Sequence, residues 1–306
     1  MIKRLIIHII LLCFSYQGFA QLQPLVNQYL LNGLAINPAY AGSQDALSLG
    51  LYSRTQWVGF EGAPRTITFS MHSPMRNKKV NLGLIVLNDK LGSRKETGFL
   101  FNYAYRIAMG SGNFSLGLAT GITGLSSDLD AVRFVDPGDN YVQNNTEKVF
   151  LPEFSFGSYY YSEKYYMGFS MPLFSTFSMD NDPEKFHVGF DLANTNYILT
   201  GGYVFSLSED LEIFPTLLLK TNPANTTQLD MHCSLIIKEK VWLGAGIRSN
   251  GNLSALLNLQ VNHQLRVGYS YGYEISELSS YNSGSHEIVL QYNFNYLLEV
   301  ISPRYF

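Results

Sequence analysis

Near the end of the chain, apolar and polar side chains alternate over a long stretch. Ile288, Leu290, Tyr292, Phe294 and Tyr296 fall on one face, and the residues between them are mostly polar. A period of two residues is the pattern of a β-strand. An apolar row that ends in aromatic residues is typical of a strand with lipid on one side and a polar lumen on the other. The stretch therefore predicts the closing strand of a membrane-spanning barrel.

The same alternation recurs along the chain after residue 46. It is clearest where Phe99, Phe101, Tyr103 and Tyr105 alternate with small or polar residues. We count about fourteen such strands, the even number that a closed single-chain bacterial barrel requires. The predicted fold is all-β, a transmembrane antiparallel β-barrel. The strands are expected near 47–57, 67–72, 80–88, 97–107, 114–122, 151–161, 165–173, 196–205, 211–220, 227–238, 241–248, 253–262, 265–274 and 287–296.

The connections between these strands alternate in length. Those after even-numbered strands are short, such as 108–112, 162–164 and 239–240, whereas those after odd-numbered strands include the two longest, 125–150 and 174–195. The connection 89–96 is intermediate, and 250–252 is a tight exception. Outer-membrane barrels have short periplasmic turns and longer extracellular loops. The alternation therefore predicts periplasmic termini.

The residues outside the barrel form three further segments. Residues 1–20 have a signal-peptide pattern, with Lys3 and Arg4 before a short apolar run and small residues before Gln21. Residues 21–45 do not alternate and contain turn residues, so we expect them to fold into the lumen as a plug; a loose periplasmic leader is the alternative. The barrel is assigned to 46–296, and 297–306 is expected to be a periplasmic tail.

Small and charged residues occupy the predicted inner face. Glycine in a strand marks a bend or the close approach of another backbone, and the inner glycines allow both explanations, barrel curvature or room for a plug. Charged candidates are too few for a general porin, which favours a filled barrel. The glycines are Gly83, Gly98, Gly117, Gly121, Gly157, Gly168, Gly244, Gly246, Gly268 and Gly272; the charged residues are Arg54, Arg106, Glu153, Glu212, Asp230, Arg248, Arg266 and Glu274.

Composition agrees with an exported barrel. Charged residues make up 15% of the chain and aromatic residues 14%, whereas a typical soluble domain is about 25% charged. Without the signal the chain keeps 19 basic and 24 acidic residues, a net charge of −5, so no nucleic-acid partner is expected. One cysteine, Cys233, remains in the mature chain, which excludes an internal disulfide. A soluble, tyrosine-rich β-sandwich is the alternative that composition leaves open.

We find no motif for catalysis, metal binding or a cofactor. His72 and Ser73 resemble a base and a nucleophile only in type, because neighbouring residues on a strand point to opposite faces. The acidic loop 126–140 matches no standard calcium site. We therefore predict a protein that is not an enzyme and has no cofactor.

Two groups of residues resemble sequence motifs of a known family, PorP/SprF. Its N-terminal signature is similar to Asn37-Pro38-Ala39-Tyr40-Ala41-Gly42, followed by a strand-start motif and by Ser285-His286-Glu287 near the end of the chain. The tail 302–306 also resembles the family's end. The strand-start motif comprises Arg54, Gln56, Trp57, Gly59, Gly62, Pro64, His72 and Pro74.

The resemblance implies an outer-membrane component of the type IX secretion system of Bacteroidota, sometimes linked to gliding motility. Family members resemble the fourteen-stranded fatty-acid-transporter barrel. They are thought to help export large adhesins, or to hold the C-terminal domains of those adhesins at the surface; others contact periplasmic ring components. A structural pairing of Arg54 with Glu287 or another acid, and an interfacial position for Trp57, are expected.

From this we expect partner-docking residues on the long loops and the tail. Aromatic residues are common at interface hot spots, although they also anchor loops to a barrel rim. The alternative functions are an outer-membrane transporter or channel for small hydrophobic molecules, and a purely structural barrel. The docking candidates are Tyr141, Phe150, Phe174, Phe177, Arg304, Tyr305 and Phe306.

Overall fold

The computed structural model describes residues 27–127, 149–172, 176–179, 186–189, 195–223 and 227–294. Seventeen strands are present in these ranges: β1 Leu47–Thr55, β2 Arg65–Pro74, β3 Val80–Leu91, β4 Arg94–Met109, β5 Gly112–Ser127, β6 Val149–Tyr161, β7 Tyr165–Met171, β8 Thr176–Met179, β9 Phe186–Gly189, β10 Tyr197–Tyr203, β11 Phe205–Ser208, β12 Leu211–Thr221, β13 Thr227–Ile237, β14 Val241–Arg248, β15 Asn252–Gln260, β16 Leu265–Glu274 and β17 Ser285–Phe294. A short helix, α1 (Gly33–Ile36), and the 3₁₀ turns Pro38–Tyr40 and Glu277–Tyr281 complete the structure.

Fourteen of the strands close into an antiparallel barrel, as the alternation predicts. Each barrel strand pairs with the next along the chain, and β1 pairs with β17 to close the wall. The short β11 continues β10 after Val204 and pairs with the same neighbour, β12. Strands β8 and β9 form a separate two-stranded sheet inside the predicted long connection 174–195.

The two faces of the wall differ as the sequence predicts. On β4, Phe101 and Ile107 are 63% and 48% exposed on the outer face, whereas Ala104 and Arg106 are buried on the inner face. On β17, Ile288 is 52% exposed and Glu287 only 2%. Apolar side chains outside and polar side chains inside are the arrangement that a lipid-embedded barrel requires.

The strands differ in length, and this corrects one predicted connection. β4 and β5 are each 16 residues long, whereas β14 has 8 and β15 has 9. Because β3 and β4 continue beyond the predicted ends, the connection 89–96 is a tight turn at Gly92, where φ is 58°. The prediction of an intermediate loop there is wrong, because the ladder continues into it, with Asp89 paired to Glu96 and Lys90 paired to Lys95.

Among the described residues, no helix has the length and apolar character needed to cross a membrane.

Candidate functional site: the lumen and the N-terminal segment

Residues 27–46, called the N-terminal segment from here on, lie among the inward-facing side chains of the barrel. They contact strands on opposite sides of the lumen, with Asn27 at β17, Tyr29 at β12, Asn37 beside β6 and β7, and Asp45 at β4. Most of their side chains are buried. Two cavities of about 20 Å³ and about 10 Å³ remain beside them. The segment therefore lies against several strands of the wall, mostly buried.

The carboxylate of Glu287 is the polar centre of the site. Its oxygens accept hydrogen bonds from the backbone N–H groups of Asn27 at 2.8 Å and Gln28 at 3.0 Å. Ser270 donates to the same carboxylate at 3.2 Å, and Arg54 Nε lies 3.1 Å from Oε1. A buried carboxylate requires a cationic partner and hydrogen-bond donors. The expected pairing of Arg54 with Glu287 is confirmed.

This ion pair lies across the closure of the barrel. Arg54 on β1 stands directly opposite Glu287 on β17 in the register, and both side chains point inward and are buried. A single carboxylate thus joins the first strand, the last strand and the N-terminal segment.

A second buried ion pair lies close by. Arg248 contacts Asp230 through Nε and Nη2, each at 2.8 Å from Oδ2. Arg248 also reaches the side-chain oxygen of Asn27 at 3.5 Å. Lys220 is 1% exposed on the inner face of β12 and was missing from the predicted lumenal charges, although its inward position follows from the alternation of that strand.

The other predicted lumenal charges follow the same pattern. Arg54, Arg106, Glu153, Asp230, Arg248 and Arg266 are buried, and Glu212 and Glu274 are partly buried. Arg266 stacks over the ring of Trp242, with its guanidinium carbon 4.5 Å from the ring centroid. The inner surface of the described barrel thus places its charges in contacts within the protein.

Tyr29 anchors the N-terminal segment on the opposite wall. Its hydroxyl forms a 2.8 Å hydrogen bond with Thr216, and its ring meets the edge of His232, with centroids 5.1 Å apart. Burial raises the pKa of both Tyr29 and Tyr40 above the usual value, so both phenols stay neutral.

Residues 37–45 are called the lower part of the N-terminal segment from here on. They include the family-motif residues Asn37, Pro38, Ala39, Tyr40 and Gly42. The Asn37 side chain caps the 3₁₀ turn by accepting from Ala39 N at 3.0 Å, and it donates to the carbonyls of Ser158 and Phe169 on the wall. The backbone around Pro38 and Ala39 passes so close to β5 and β6 that only glycine fits opposite. A Cβ on Gly117 would overlap Ala39 N, and one on Gly157 would overlap Asn37 Oδ1.

The inner glycines therefore separate into two groups. The N-terminal segment is among the nearest neighbours of six predicted glycines: Gly83, Gly117, Gly157, Gly168, Gly268 and Gly272. The nearest neighbours of the other four, Gly98, Gly121, Gly244 and Gly246, belong to the wall itself. The first set fits the explanation that an inner glycine marks the close approach of another part of the chain.

His72 and Arg106 hold the end of the N-terminal segment that leads into β1. Gly42, at φ 72°, donates its N–H to His72 Nδ1 at 3.1 Å, and the ring of Tyr40 lies edge-on to the same imidazole at 5.4 Å. Arg106 forms an ion pair with Asp45 and donates to the carbonyl of Gly42. Ser73 donates instead to the carbonyl of Pro74, so His72 and Ser73 are not brought together.

The rest of the strand-start motif shapes the connection from β1 to β2. Gln56 N donates to the carbonyl of Pro64 at 3.0 Å, and the indole of Trp57 donates to Glu274 at 2.8 Å. Gly62, at φ 76°, accepts from Gly92 N, and Gly59, at φ 95°, lies in open space. Pro74 ends β2. Trp57 and Gly62 thus join neighbouring connections at one rim of the barrel, whereas Pro74 lies at the opposite end of β2.

His286 faces outward, opposite to its neighbour Glu287. Its Nδ1 lies 2.7 Å from the hydroxyl of Tyr269, and its ring meets Tyr271 edge-on at 5.3 Å. The two residues of the predicted closing-strand motif therefore serve different faces of the wall.

Of the predicted docking residues, Phe150 is the one whose side chain is described. It is 64% exposed and lies against Gly124. Phe177 lies on β8 without a described side chain, and Tyr141, Phe174, Arg304, Tyr305 and Phe306 lie outside the described residues, as does the acidic loop beyond Ser127. Within the described part of the chain, no group of three or more His, Cys, Asp or Glu side chains is placed to hold a metal ion.

The hydrogen bonds from Asn27 and Gln28 to Glu287 were not predictable from residue types, because the donors are backbone groups that every non-proline residue carries.

Comparison with solved structures agrees with the fold. The chain is similar to a structure described as the CymD monoaromatic hydrocarbon channel, with a TM-score of 0.54 and 14% identity over 87% of this chain and 93% of that one. It also matches the outer membrane protein Omp33 of Acinetobacter baumannii, with a TM-score of 0.48 and 7% identity over 82% and 100% of the two chains. At these identities the likeness concerns the fold. A search of curated proteins found no match.

A family model described as "Type IX secretion system membrane protein PorP/SprF" matches residues 18–292. The match covers most of the chain and includes both the N-terminal segment and β17. Together with the lipid-facing barrel, it supports a place in the outer membrane as a component of type IX secretion. The chain belongs to the PorP/SprF family of type IX secretion system membrane proteins.

Proposed function

We propose that this protein is a non-enzymatic outer-membrane barrel that assists the secretion, or the surface anchoring, of a large secreted protein such as an adhesin. The proposal rests on family membership and on one structural observation. The N-terminal segment forms hydrogen bonds or ion pairs with β17, β12, β6 and β4, which supports a plug that fills the lumen. A barrel filled in this way is suited to act as a rigid platform.

We further propose that residues 21–45 form a plug in the lumen of the barrel. The contacts of residues 27–45 support this, because charged, aromatic and backbone groups of the N-terminal segment all have partners on the wall. The remaining parts of the proposal are a signal peptide at 1–20 and a periplasmic tail at 297–306. In that tail, Arg304, Tyr305 and Phe306 would contact ring components.

Docking of the secreted protein is assigned to the end of the barrel with the long connections. Phe150 supports this assignment, since it is a large apolar side chain that stays 64% exposed beside the connection from β5 to β6. Exposed aromatic residues at the mouth of a barrel are suitable anchors for a partner protein. Tyr141, Phe174 and Phe177 are proposed as further anchors.

The test is affinity purification of the tagged protein from its native outer membrane in mild detergent, followed by mass spectrometry. We expect a large secreted protein, type IX ring components, or both. A Phe150→Ala variant should retain less of the secreted protein, and a Phe101→Ala variant, changed on the lipid-facing wall, serves as the control. Recovery of the barrel with lipid alone would contradict the proposal.

Transport of small hydrophobic molecules is less well supported. An apolar groove of about 1180 Å³ does occur, but the exposed side chains that line it, such as Met167, Met231 and Ile247, belong to the outer face of the wall. The exposed side chains of the groove therefore face the bilayer. Liposome uptake assays with and without residues 21–45 would detect a transport function.

A further inference from the structure

The wall of the lumen binds the N-terminal segment largely through its backbone. Glu287 accepts from the N–H groups of Asn27 and Gln28. The carbonyl of Leu31 accepts from Tyr52 Oη and, at 3.0 Å, from Gln291 Nε2. Ser170 Oγ donates to the carbonyl of Ile36 at 2.7 Å. Side chains from β1, β7 and β17 thus contact groups that almost any peptide would offer.

These wall groups require a polypeptide partner. Tyr52, Ser170, Glu287 and Gln291 are all buried on the inner face. A buried donor or acceptor that loses its partner costs free energy, and a charged group costs more. Their spacing along the segment, at residues 27, 28, 31 and 36, matches one continuous stretch of main chain. The arrangement recognises peptide and offers little to a hydrocarbon.

We propose that the inner wall is a binding site for a short polypeptide segment, and that residues 27–36, which fold as turns and one helical turn, are its resident intramolecular ligand. The inference builds on the proposed plug and adds that the plug occupies a site able to accept another peptide. Glu287, oriented by Arg54, is the main recognition group. The ligand class is a short stretch of polypeptide that can adopt the same turns, such as an exported protein would present.

The lower part of the N-terminal segment, residues 37–45, differs from residues 27–36 in how closely the wall encloses it. Around Pro38 and Ala39 the wall excludes even a Cβ at Gly117 and Gly157, so these residues are enclosed by shape. Residues 27–36 combine buried apolar side chains with hydrogen bonds from the wall to their backbone, and a second peptide can supply both kinds of contact. Residues 37–45 would therefore remain in place while residues 27–36 exchange.

The test uses the full-length protein in detergent and a fluorescent synthetic peptide with the sequence of residues 27–36. The Asn27→Pro/Gln28→Pro variant removes both N–H donors without altering the wall. We expect this variant to bind the peptide at least about tenfold more tightly than the wild type, because its own segment competes less well when hydrogen bonds to a charged group are lost. Adding Glu287→Gln to the same variant should abolish the gain.

A scrambled peptide that keeps tyrosine in third place and glycine in seventh place tests recognition of the backbone, because Tyr29 bonds to Thr216 and a Cβ on Gly33 would overlap the ring of Tyr40. It should bind within a few fold of the native peptide. Equal binding to the proline variant and the wild type, or binding of the native peptide alone, would overturn the proposal. Peptide with empty micelles gives the background.

A second measurement covers the case in which the proline variant does not assemble. In a Cys233→Ser background, Leu34→Cys places a thiol on the buried side of α1, and Ser43→Cys places one in the lower part of the N-terminal segment. Excess peptide should speed labelling at position 34 several fold and leave position 43 unchanged. No change at position 34 would contradict the inference. Neither measurement involves secretion, so its failure would leave the proposed secretion role untouched.

Discussion

The two halves of the N-terminal segment are held in the barrel by different physics. Residues 37–45 are enclosed by shape, since glycines on β5 and β6 let the backbone of Pro38 and Ala39 press against the wall, and polar contacts such as the Asp45–Arg106 ion pair add to this enclosure. Residues 27–36 are held by a buried carboxylate, hydroxyls and an amide that bond to main-chain groups. Shape fixes one conformation, whereas hydrogen bonds to the backbone depend little on sequence. The difference indicates where the segment is permanent and where it can exchange.

The largest loss of stability is expected from Glu287→Ala. This change removes the carboxylate that binds the backbone of residues 27–36, the polar half of the segment. It leaves the guanidinium of Arg54 and two backbone N–H groups without their shared acceptor. Breaking a buried ion pair on one side typically costs about 3–5 kcal/mol. Unfolding of the purified barrel in denaturant measures the loss.

The matched control for that change is Asp210→Ala, which removes a pair with Lys238 whose two side chains are mostly exposed. Exposed pairs contribute at most about 1 kcal/mol. An equal loss in the two variants would mean that the polar half is not held by Glu287.

The shape-fixed half is tested by Gly117→Ala. The added Cβ overlaps the backbone of Pro38 and Ala39, and overpacking typically costs about 1–3 kcal/mol. We expect a lower midpoint of thermal unfolding and more rapid thiol labelling of Ser43→Cys. Gly201→Ala, whose Cβ would meet only one carbonyl at an ordinary 3.6 Å, is the control; equal stability of the two variants would count against enclosure by shape.

The smallest loss of stability is expected from Tyr29→Phe, which tests a single neutral hydrogen bond within the polar half, residues 27–36. The change keeps the ring beside His232 and removes the hydrogen bond to Thr216. A neutral buried hydrogen bond contributes about 0.5–1.5 kcal/mol. Double-mutant cycles with Thr216→Val isolate that term, and Tyr281→Phe, at a side chain 72% exposed, should be neutral. A loss as large as that of Glu287→Ala would show that the tyrosine is the main anchor.

The sequence predicts the wall well because successive side chains of a strand alternate between two faces, and the face toward lipid is apolar. Phe101 and Ala104 fall on the expected sides for that reason. The tight turn at Gly92 was missed because the ends of β3 and β4 have polar residues on their outer face, such as Lys90 and Lys95, and look like a loop.

The site was predictable only where side chains meet. The pairing of Arg54 with Glu287 followed from the need of a buried charge for a partner. The course of residues 27–36 did not follow, because an irregular segment has no period and its bonds run through main-chain atoms. Phe150 could be placed in sequence near a long connection, but its exposure required the wall to be built first.

The unequal strands give the barrel a rim of uneven height. The 16 residues of β4 exceed the 9 of β15 by enough to add roughly 20 Å along the strand direction. A protein that binds to this rim would contact longer strands on one side of the barrel and shorter strands on the other. The uneven rim would restrict rotation of the bound protein about the barrel axis. It would therefore set the orientation of that protein, as well as its distance from the membrane.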